Sequence, residues 1–307
     1  MSRISVVSPV YKAKLIVPEL VRRIIESVSK ITEDFEIILV EDGCPENSWE
    51  AIAQECQKDK RIKGIKLSRN FGQHYAITAG LDYVKGDWVV VMDCDLQDQP
   101  EEIEKMYNLA ITGYHVVLGQ RKIRYDSYFK KSFSFLFYRF LNFMSGINHD
   151  ETIANFGIYH KEVIATLIKM REPNRFFPTM INWIGFNQTK IEIEHAERKE
   201  GTSNYNFSKL MKLAIDIILS NSEKPLKLFT LLGIVISLTS LLIAFIFLIQ
   251  WSLGDIKVLG YTSLIISIWL LSGIILATLG IVGLYIGKTF ETVKNRPIYI
   301  IQDKING

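Results

Sequence analysis

Residues 228–254 and 258–287 contain no charged side chain, and nothing else in the chain limits its fold as strongly. Each run exceeds the ~20 apolar residues that carry a helix across a bilayer. A lipid core admits only segments that satisfy their own backbone hydrogen bonds. The pair therefore reads as two membrane helices, over about 226–251 and 259–286, joined by a connector at 252–257. Two buried core helices are the competing reading, and runs this long without a charge disfavour it. Lys224 and Lys227 precede the first run, Lys288, Lys294 and Arg296 follow the second, and the connector holds one lysine. That bias places both ends of the chain, and everything before the spans, in the cytoplasm. Gly273, Ala277, Gly280, Gly283 and Gly287 suit close helix packing within or between protomers.

The first 120 residues are of another kind. Apolar runs at 4–10, 36–40, 62–67, 88–92 and 115–119 read as strands, and periodic segments at 18–28, 49–56 and 73–84 read as helices between them. Strands alternating with helices imply a parallel sheet with right-handed crossovers. Ligands of such sheets bind beyond the carboxyl ends of the strands. Those ends carry Glu41 and Asp42, then Arg69, then Asp93 and Asp95. Asp93 and Asp95, two apart on an extended chain, point the same way. Hard oxygen ligands so placed suit Mg²⁺ or Mn²⁺ carried by a phosphate-rich substrate. The plainer alternative is a polar turn in which an Asp caps a helix opening at Pro100 and Glu101.

Neither a Gly-x-Gly-x-x-Gly after a strand nor a Gly-x-x-x-x-Gly-Lys-Ser/Thr occurs. A dinucleotide oxidoreductase and a phosphate-loop NTPase are thereby disfavoured, and a metal-bridged pyrophosphate fits better. A formal charge of +3 is too small to suggest a nucleic-acid partner. Cys44, Cys56 and Cys94 have no paired or metal-type spacing and read as reduced thiols. The apolar run at the N-terminus is too short for a signal peptide. Arg121 and Arg124 follow a strand end, where they suit either an anionic phosphate or a solvated loop. Segments at about 127–146 and 207–221 combine an apolar, partly aromatic face with basic residues, as helices lying in a membrane interface do; a core helix is the alternative.

Val7-Ser8-Pro9-Val10-Tyr11, Val40-Glu41-Asp42-Gly43, Ser68-Arg69-Asn70-Phe71-Gly72-Gln73, Ala79-Gly80-Leu81-Asp82 and Met92-Asp93-Cys94-Asp95-Leu96-Gln97-Asp98 occur together in this order. In this combination the chain resembles a family 2 glycosyltransferase with the GT-A fold, in the polyprenyl-phosphate glycosyltransferase group that includes dolichyl-phosphate mannose synthase and the bactoprenol glucosyltransferases. The resemblance extends over essentially the whole chain, spans included. It implies a GT-A (Rossmann-like) α/β domain at 1–222 with a mostly parallel sheet and the two interface helices, then a two-helix membrane region at 223–307 with a short tail.

The resemblance also implies roles. Glu41 or Asp42 would contact the nucleotide base, Pro9 and Tyr11 would line its pocket, and Arg69 would join the donor site. Asp93 and Asp95 would hold Mg²⁺ or Mn²⁺ on the donor diphosphate, Asp95 also acting in catalysis, with Gln97 and Asp98 at the sugar. Arg198, Ser203 and Tyr205 match an Arg-x-x-Gly-x-Ser-x-Tyr loop that stabilises the leaving diphosphate and binds the acceptor phosphate. The implied reaction is inverting transfer from a nucleotide-diphosphate sugar, UDP-linked by preference, to undecaprenyl phosphate at the bacterial inner membrane, by a homo-oligomer such as a tetramer.

At one place the chain departs from the pattern. Many relatives have Gly-Asp-Phe-Arg-Leu where this chain reads Ala154-Asn155-Phe156-Gly157-Ile158. Asn155 cannot take a proton. A sugar hydroxyl acceptor needs a base, whereas a phosphate monoester, with a second pKa of about 6, is already ionised near neutrality. Asn155 thus fits a lipid-phosphate acceptor and leaves Asp150 or Glu151 as substitute bases for a hydroxyl one. Transfer to a hydroxyl of a lipid-linked sugar is the alternative activity. A non-catalytic membrane scaffold is the alternative class, against which the intact Asp93 and Asp95 argue.

Overall fold

The computed structural model describes residues 3–121, 143–144, 153–173, 175–194, 218, 222–253 and 260–307. Contacts divide the chain into two units, one of 1–130, 149–204 and 296–307, the other of 131–148 and 205–295. The expected interface helices at 127–146 and 207–221 lie almost wholly outside the described residues.

The first unit is built on one eight-stranded sheet. In chain order its elements are β1 (Ile4–Val10), α1 (Val17–Val28), β2 (Phe35–Glu41), α2 (Ser48–Lys58), β3 (Ile62–Leu67), α3 (Gln73–Leu81), β4 (Trp88–Val91), α4 (Glu102–Ala110), β5 (Val116–Arg121), β6 (Ile153–His160), α5 (Lys161–Leu167), α6 (Phe177–Ile184), β7 (Gln188–Ile193) and, from the C-terminus, β8 (Ile301–Ile305). Spatial order is β7-β5-β6-β4-β1-β2-β3-β8. β1 pairs in parallel with both β2 and β4, and β2 with β3, while β6 and β8 run antiparallel to their neighbours. The sheet is therefore mixed and mostly parallel, as the α/β alternation implies.

Strand alternation divides the core into two layers. Ile4, Val6 and Val10 of β1, with Ile37 and Leu39 of β2, meet Leu20 and Ile24 of α1, Ile52 of α2 and Ile103 of α4. On the opposite face Val7, Ile38, Val40 and Val91 meet Ala76 and Ile77 of α3, Val163 of α5 and Phe177 of α6. The chain moves from β1 through β2 to β3, then returns past β1 to β4, so the order reverses between β1 and β4 and α3 lands on the face opposite α1 and α2. Gly80 permits that landing: a Cβ there would overlap Val7 Cγ1.

β8 was not visible as a strand in the sequence. It adds to the edge of β3, Gly64 opposite Ile305, and is tied to the body by Tyr299, whose hydroxyl donates to Asp82 Oδ2 at 2.5 Å. Arg171 also clamps Asp82 through two bonds of 2.7 and 2.8 Å. The tail at 296–307 thus groups with the sheet and not with the two helices before it.

The second unit contains α7 (Lys224–Ser252) and α8 (Tyr261–Val293). Within α8, Leu270–Val293 is long and apolar enough to cross a membrane, with a mean hydropathy of 2.1 and none of it buried. Lys224 Nζ donates to Phe143 O at 2.6 Å and the Tyr285 hydroxyl to Ser222 O at 2.6 Å. A Cβ at Gly273, Gly280, Gly283 or Gly287 would meet nothing within 4 Å, so these glycines do not serve packing inside the chain among the described residues.

Candidate active site

β1, β2, β3 and β4 all end at one edge of the sheet. β5 joins them, because β4 and β5 are each antiparallel to β6. The exit loops of the first four strands share a feature: each turns through left-handed backbone, at Lys12 (φ 54°), Gly43 (φ 57°), Gly72 (φ 111°) and Leu96 (φ 58°). Non-glycine residues held there cost on the order of 1–2 kcal/mol each. Such strain concentrates where a loop must aim groups at a ligand.

Pro9 explains why the crevice opens where it does. In β1, Val7 O accepts from Met92 N–H on the β4 side, and Val10 O accepts from Asp42 N–H on the β2 side. Odd-numbered residues therefore bond towards β4. Pro9 has no N–H to offer there, and the register of β1 with β4 ends at Val7 opposite Val91. Pro9 and Asp93 each lie two residues beyond that last pair. Tyr11 N–H then bonds the Cys94 thiol, whose pKa burial pushes up to about 12. The Tyr11 side chain is exposed, 42% of it open to solvent.

On the other side of β4, Val91 lies opposite Gly157, the last pair of that ladder, and Asn155 follows on β6 towards the strand end from which the chain leaves for Asp93. Asn155 is half-buried. Gly157 makes room for Tyr159: a Cβ at 157 would lie 2.5 Å from the Tyr159 hydroxyl oxygen. Asn155 and Gly157, two apart on β6, sit on one strand face.

Asp93 Oδ1 accepts from Gln73 Nε2 at 2.5 Å, which joins the first residue of α3 to the end of β4. Asp95 Oδ1 accepts from Gln97 N–H at 3.2 Å, which closes the turn over Leu96. Asp93, Asp95 and Gln97 are partly exposed, whereas Asp98 is buried. The residue preceding α4 is Glu101, which makes no side-chain capping bond. Two carboxylates from one strand end suit a Mg²⁺ or Mn²⁺ that takes its remaining ligands from phosphate and water.

The two acids after β2 divide. Glu41 and Asp42 are both buried, and burial raises both pKa values. Glu41 Oε1 accepts from Cys44 N–H, and its Oε2 is shut from solvent with no hydrogen-bond partner. Asp42 spans the next loop, accepting from Phe71 N–H at 2.8 Å and Gly72 N–H at 2.9 Å. Gly43 is obligatory beside it, since a Cβ would overlap the backbone carbonyl carbon of Arg69. Arg69 is exposed, with its guanidinium 4.1 Å above the Phe71 ring.

Four supporting residues, Gln73, His74, Thr78 and Arg175, carry no role in the sequence analysis. Arg175 is buried, and its Nε donates to the Thr78 hydroxyl at 2.8 Å, which itself donates to His74 O at 2.8 Å. Burial, then the Arg175 charge, pushes His74 down to about 4, so it is neutral at physiological pH. These groups lock the first turn of α3, and with it Gln73. Only Gln73 had a signal, its place directly after Asn70-Phe71-Gly72; the contact between α3 and Arg175 joins segments about a hundred residues apart.

β7 is parallel to β5 and ends at the same edge. Arg121 closes β5 there by its backbone. Arg124, Arg198, Ser203 and Tyr205 lie outside the described residues, as do Asp150 and Glu151.

A doubly wound sheet with acids lining its switch-point crevice is the architecture of the GT-A class. The chain belongs to glycosyltransferase family 2: a family model described as Glycosyl transferase family 2 matches residues 5–168. It is 38% identical over 299 residues to the uncharacterized glycosyltransferase YkcC of Bacillus subtilis, with 97% of this chain and 93% of that protein covered. It is 32% identical over 305 residues to the undecaprenyl-phosphate 4-deoxy-4-formamido-L-arabinose transferase of Proteus mirabilis, covering 98% and 94%. Among solved structures it resembles glucosyl-3-phosphoglycerate synthase from Mycobacterium tuberculosis in complex with Mn²⁺, UDP and phosphoglyceric acid, at a TM-score of 0.52 and 14% identity, over 71% of this chain and 76% of that one. That likeness is one of fold.

Proposed function

We propose that this protein is an inverting membrane glycosyltransferase that moves a sugar from a nucleoside-diphosphate donor, UDP-linked by preference, to undecaprenyl phosphate. The observation that carries the reading is an Asn, not a carboxylate, at position 155 on β6, two residues beyond the Gly157–Val91 pair and towards the active-site edge, in a chain that keeps both Asp93 and Asp95. A hydroxyl acceptor would need a base to take its proton, which Asn155 cannot supply. An ionised phosphate oxygen needs none. Full-length relatives named for transfer to undecaprenyl phosphate support the same acceptor.

The chain's own groups divide the work. Asp93 and Asp95 would hold Mg²⁺ or Mn²⁺, which when bound neutralises charge on the donor diphosphate. Gln73 orients Asp93, and the rigid first turn of α3 orients Gln73. Pro9, Tyr11 and Glu41 border the base side of the crevice, and Arg69 on its exposed loop reaches the diphosphate. Gln97 and Asp98 face the sugar. Asn155, an uncharged hydrogen-bond donor, positions the acceptor phosphate for in-line attack on the anomeric carbon, with Arg121, Arg124, Ser203 and Tyr205 completing the phosphate site and Arg198 stabilising the departing nucleoside diphosphate. The acceptor is a lipid, so the reaction belongs at a membrane surface, and the spans at about 226–251 and 259–286 serve as the anchor with the catalytic part in the cytoplasm. Association into a homo-oligomer is the reading we give to the unpacked glycines of α8.

The test is radiolabel transfer from a panel of nucleotide sugars to undecaprenyl phosphate in detergent, with Mn²⁺ or EDTA. Labelled lipid should form with metal and should fall by at least about 100-fold in Asp95→Ala. Metal-dependent nucleotide binding without transfer to the lipid phosphate, from any donor, would refute this acceptor and favour a hydroxyl.

A further inference from the structure

The opposite edge of the sheet holds a second cluster of ligating groups. His115 directly precedes β5, His160 ends β6, and Glu162 is the second residue of α5. Antiparallel pairing sets Val116 opposite Tyr159, which brings the two histidines together. Their backbones are joined directly, His160 N–H donating to His115 O at 2.8 Å. Glu162 Oε2 lies 4.0 Å from His115 Nε2 and 3.8 Å from His160 Nδ1. The three donor atoms lie within 4.8 Å of one another, the one such group of three among the described residues.

Hydrogen bonding does not account for this arrangement. Separations of 3.8 and 4.0 Å exceed hydrogen-bond reach, and His160 Nδ1 is shut from solvent without a partner. The imidazoles are held by ring packing: His160 against Trp88 at 5.0 Å, His115 against Phe186 at 5.2 Å, and the two to each other at 5.7 Å and 82°. Glu162 is the adjustable member, its side chain 60% exposed. Zinc bonds to His nitrogen and carboxylate oxygen are about 2.0–2.2 Å, so tetrahedral ligands stand roughly 3.4 Å apart. A small swing of Glu162 brings its oxygen to that spacing from both nitrogens.

We infer that His115, His160 and Glu162 form a second divalent-metal site, selective for zinc-type ions and separate from the reaction. Donor chemistry distinguishes the two sites: two imidazoles and one carboxylate favour Zn²⁺ or Co²⁺, whereas the oxygen-only pair Asp93 and Asp95 favours Mg²⁺ or Mn²⁺. From Asn155 to His160 the strand rises about 17 Å at ~3.3 Å per residue, so the second ion would not touch substrate. It would cross-link β5, β6 and α5. His115 Nδ1 has no hydrogen-bond partner, so this ligand lacks the outer support that strengthens structural zinc sites, and an exchangeable ion is expected.

The test uses the full chain in detergent without a polyhistidine tag, titrated with Zn²⁺ against a chromophoric chelator and with Co²⁺ by visible absorption. One equivalent should bind, the bands should report nitrogen ligation, and Zn²⁺ should raise the thermal midpoint. His115→Ala should lower affinity at least about 10-fold, and Glu162→Gln, a solvent-facing change that leaves the ring packing intact, should do the same without altering Mn²⁺-dependent nucleotide binding. The inference is overturned if no stoichiometric Zn²⁺ binds, if both variants bind it as the parent does, or if Asp93→Asn alone abolishes uptake.

Discussion

Asp42 is the residue whose substitution best separates two roles, contact with a ligand and support of a loop. Both its carboxylate oxygens are engaged by the N–H groups of Phe71 and Gly72. Replacing it with Ala leaves two partly buried donors without acceptors. Hydrogen bonds to a charged group are worth about 1.5–3 kcal/mol each. Burial raises the Asp42 pKa, so keeping the carboxylate charged itself costs something, and removing it returns part of the loss. A net cost of about 2–4 kcal/mol follows for Asp42→Ala, and about 1–2 kcal/mol for Asp42→Asn, which keeps one acceptor. At roughly 2–4 °C per kcal/mol for a unit of this size, the Ala variant should melt about 4–16 °C lower and the Asn variant about 2–8 °C lower. The assay is thermal unfolding of the detergent-solubilised chain followed by tryptophan fluorescence, with nucleotide affinity measured well below the transition. An Ala variant that melts within about 1 °C of the parent while losing nucleotide affinity would refute the reasoning, because Asp42 would then act on the ligand and the loop would not depend on it.

Other outcomes follow from single contacts. Gln73→Glu sets a second carboxylate against Asp93; like charges raise carboxyl pKa values, so the acidic limb of the pH–activity profile should move to higher pH, with the fold unchanged by circular dichroism. Gly80→Ala drives a methyl into Val7 and should cost about 1–3 kcal/mol, read as a lower thermal midpoint. Glu36 is buried, which on its own would raise its pKa, but Lys63, Ser5 and the Lys85 N–H together hold it below the ordinary value. With the folded pKa depressed, its stabilisation is complete above the unfolded pKa and is lost as pH falls through the folded one. Glu36→Gln should therefore flatten the acid limb of the stability–pH curve. Glu41 has the opposite sign: its folded pKa is raised, so its effect on stability is favourable below the unfolded pKa and lost as pH rises through the folded one. Glu41→Gln should gain stability relative to the parent as pH rises, measured by thermal unfolding across the same series.

The parallel β1–β4 framework, the carboxylates at its ends and the apolar segments were legible in the sequence because each is a local pattern. A strand buried on both faces reads as an unbroken apolar run, and an acid at its end reads as the rim of a crevice. The span-length segment Leu270–Val293 likewise needs only composition and length. Long-range pairing left no such trace. Nothing local announces that Ile301–Ile305 returns to the edge of β3, or that β6 runs antiparallel beside β4 and carries Asn155 towards the active-site edge. Pro9 was legible as the end of a strand, but only the register shows that its missing N–H falls on the β4 side. The Arg175–Thr78–His74 lock and the meeting of His115 with His160 depend on side chains whose positions in the chain are far apart. Sequence alone determined which chemistry the chain carries at its strand ends. Tertiary structure decided which of those groups face one another, because strand order and register are settled by packing across the whole sheet.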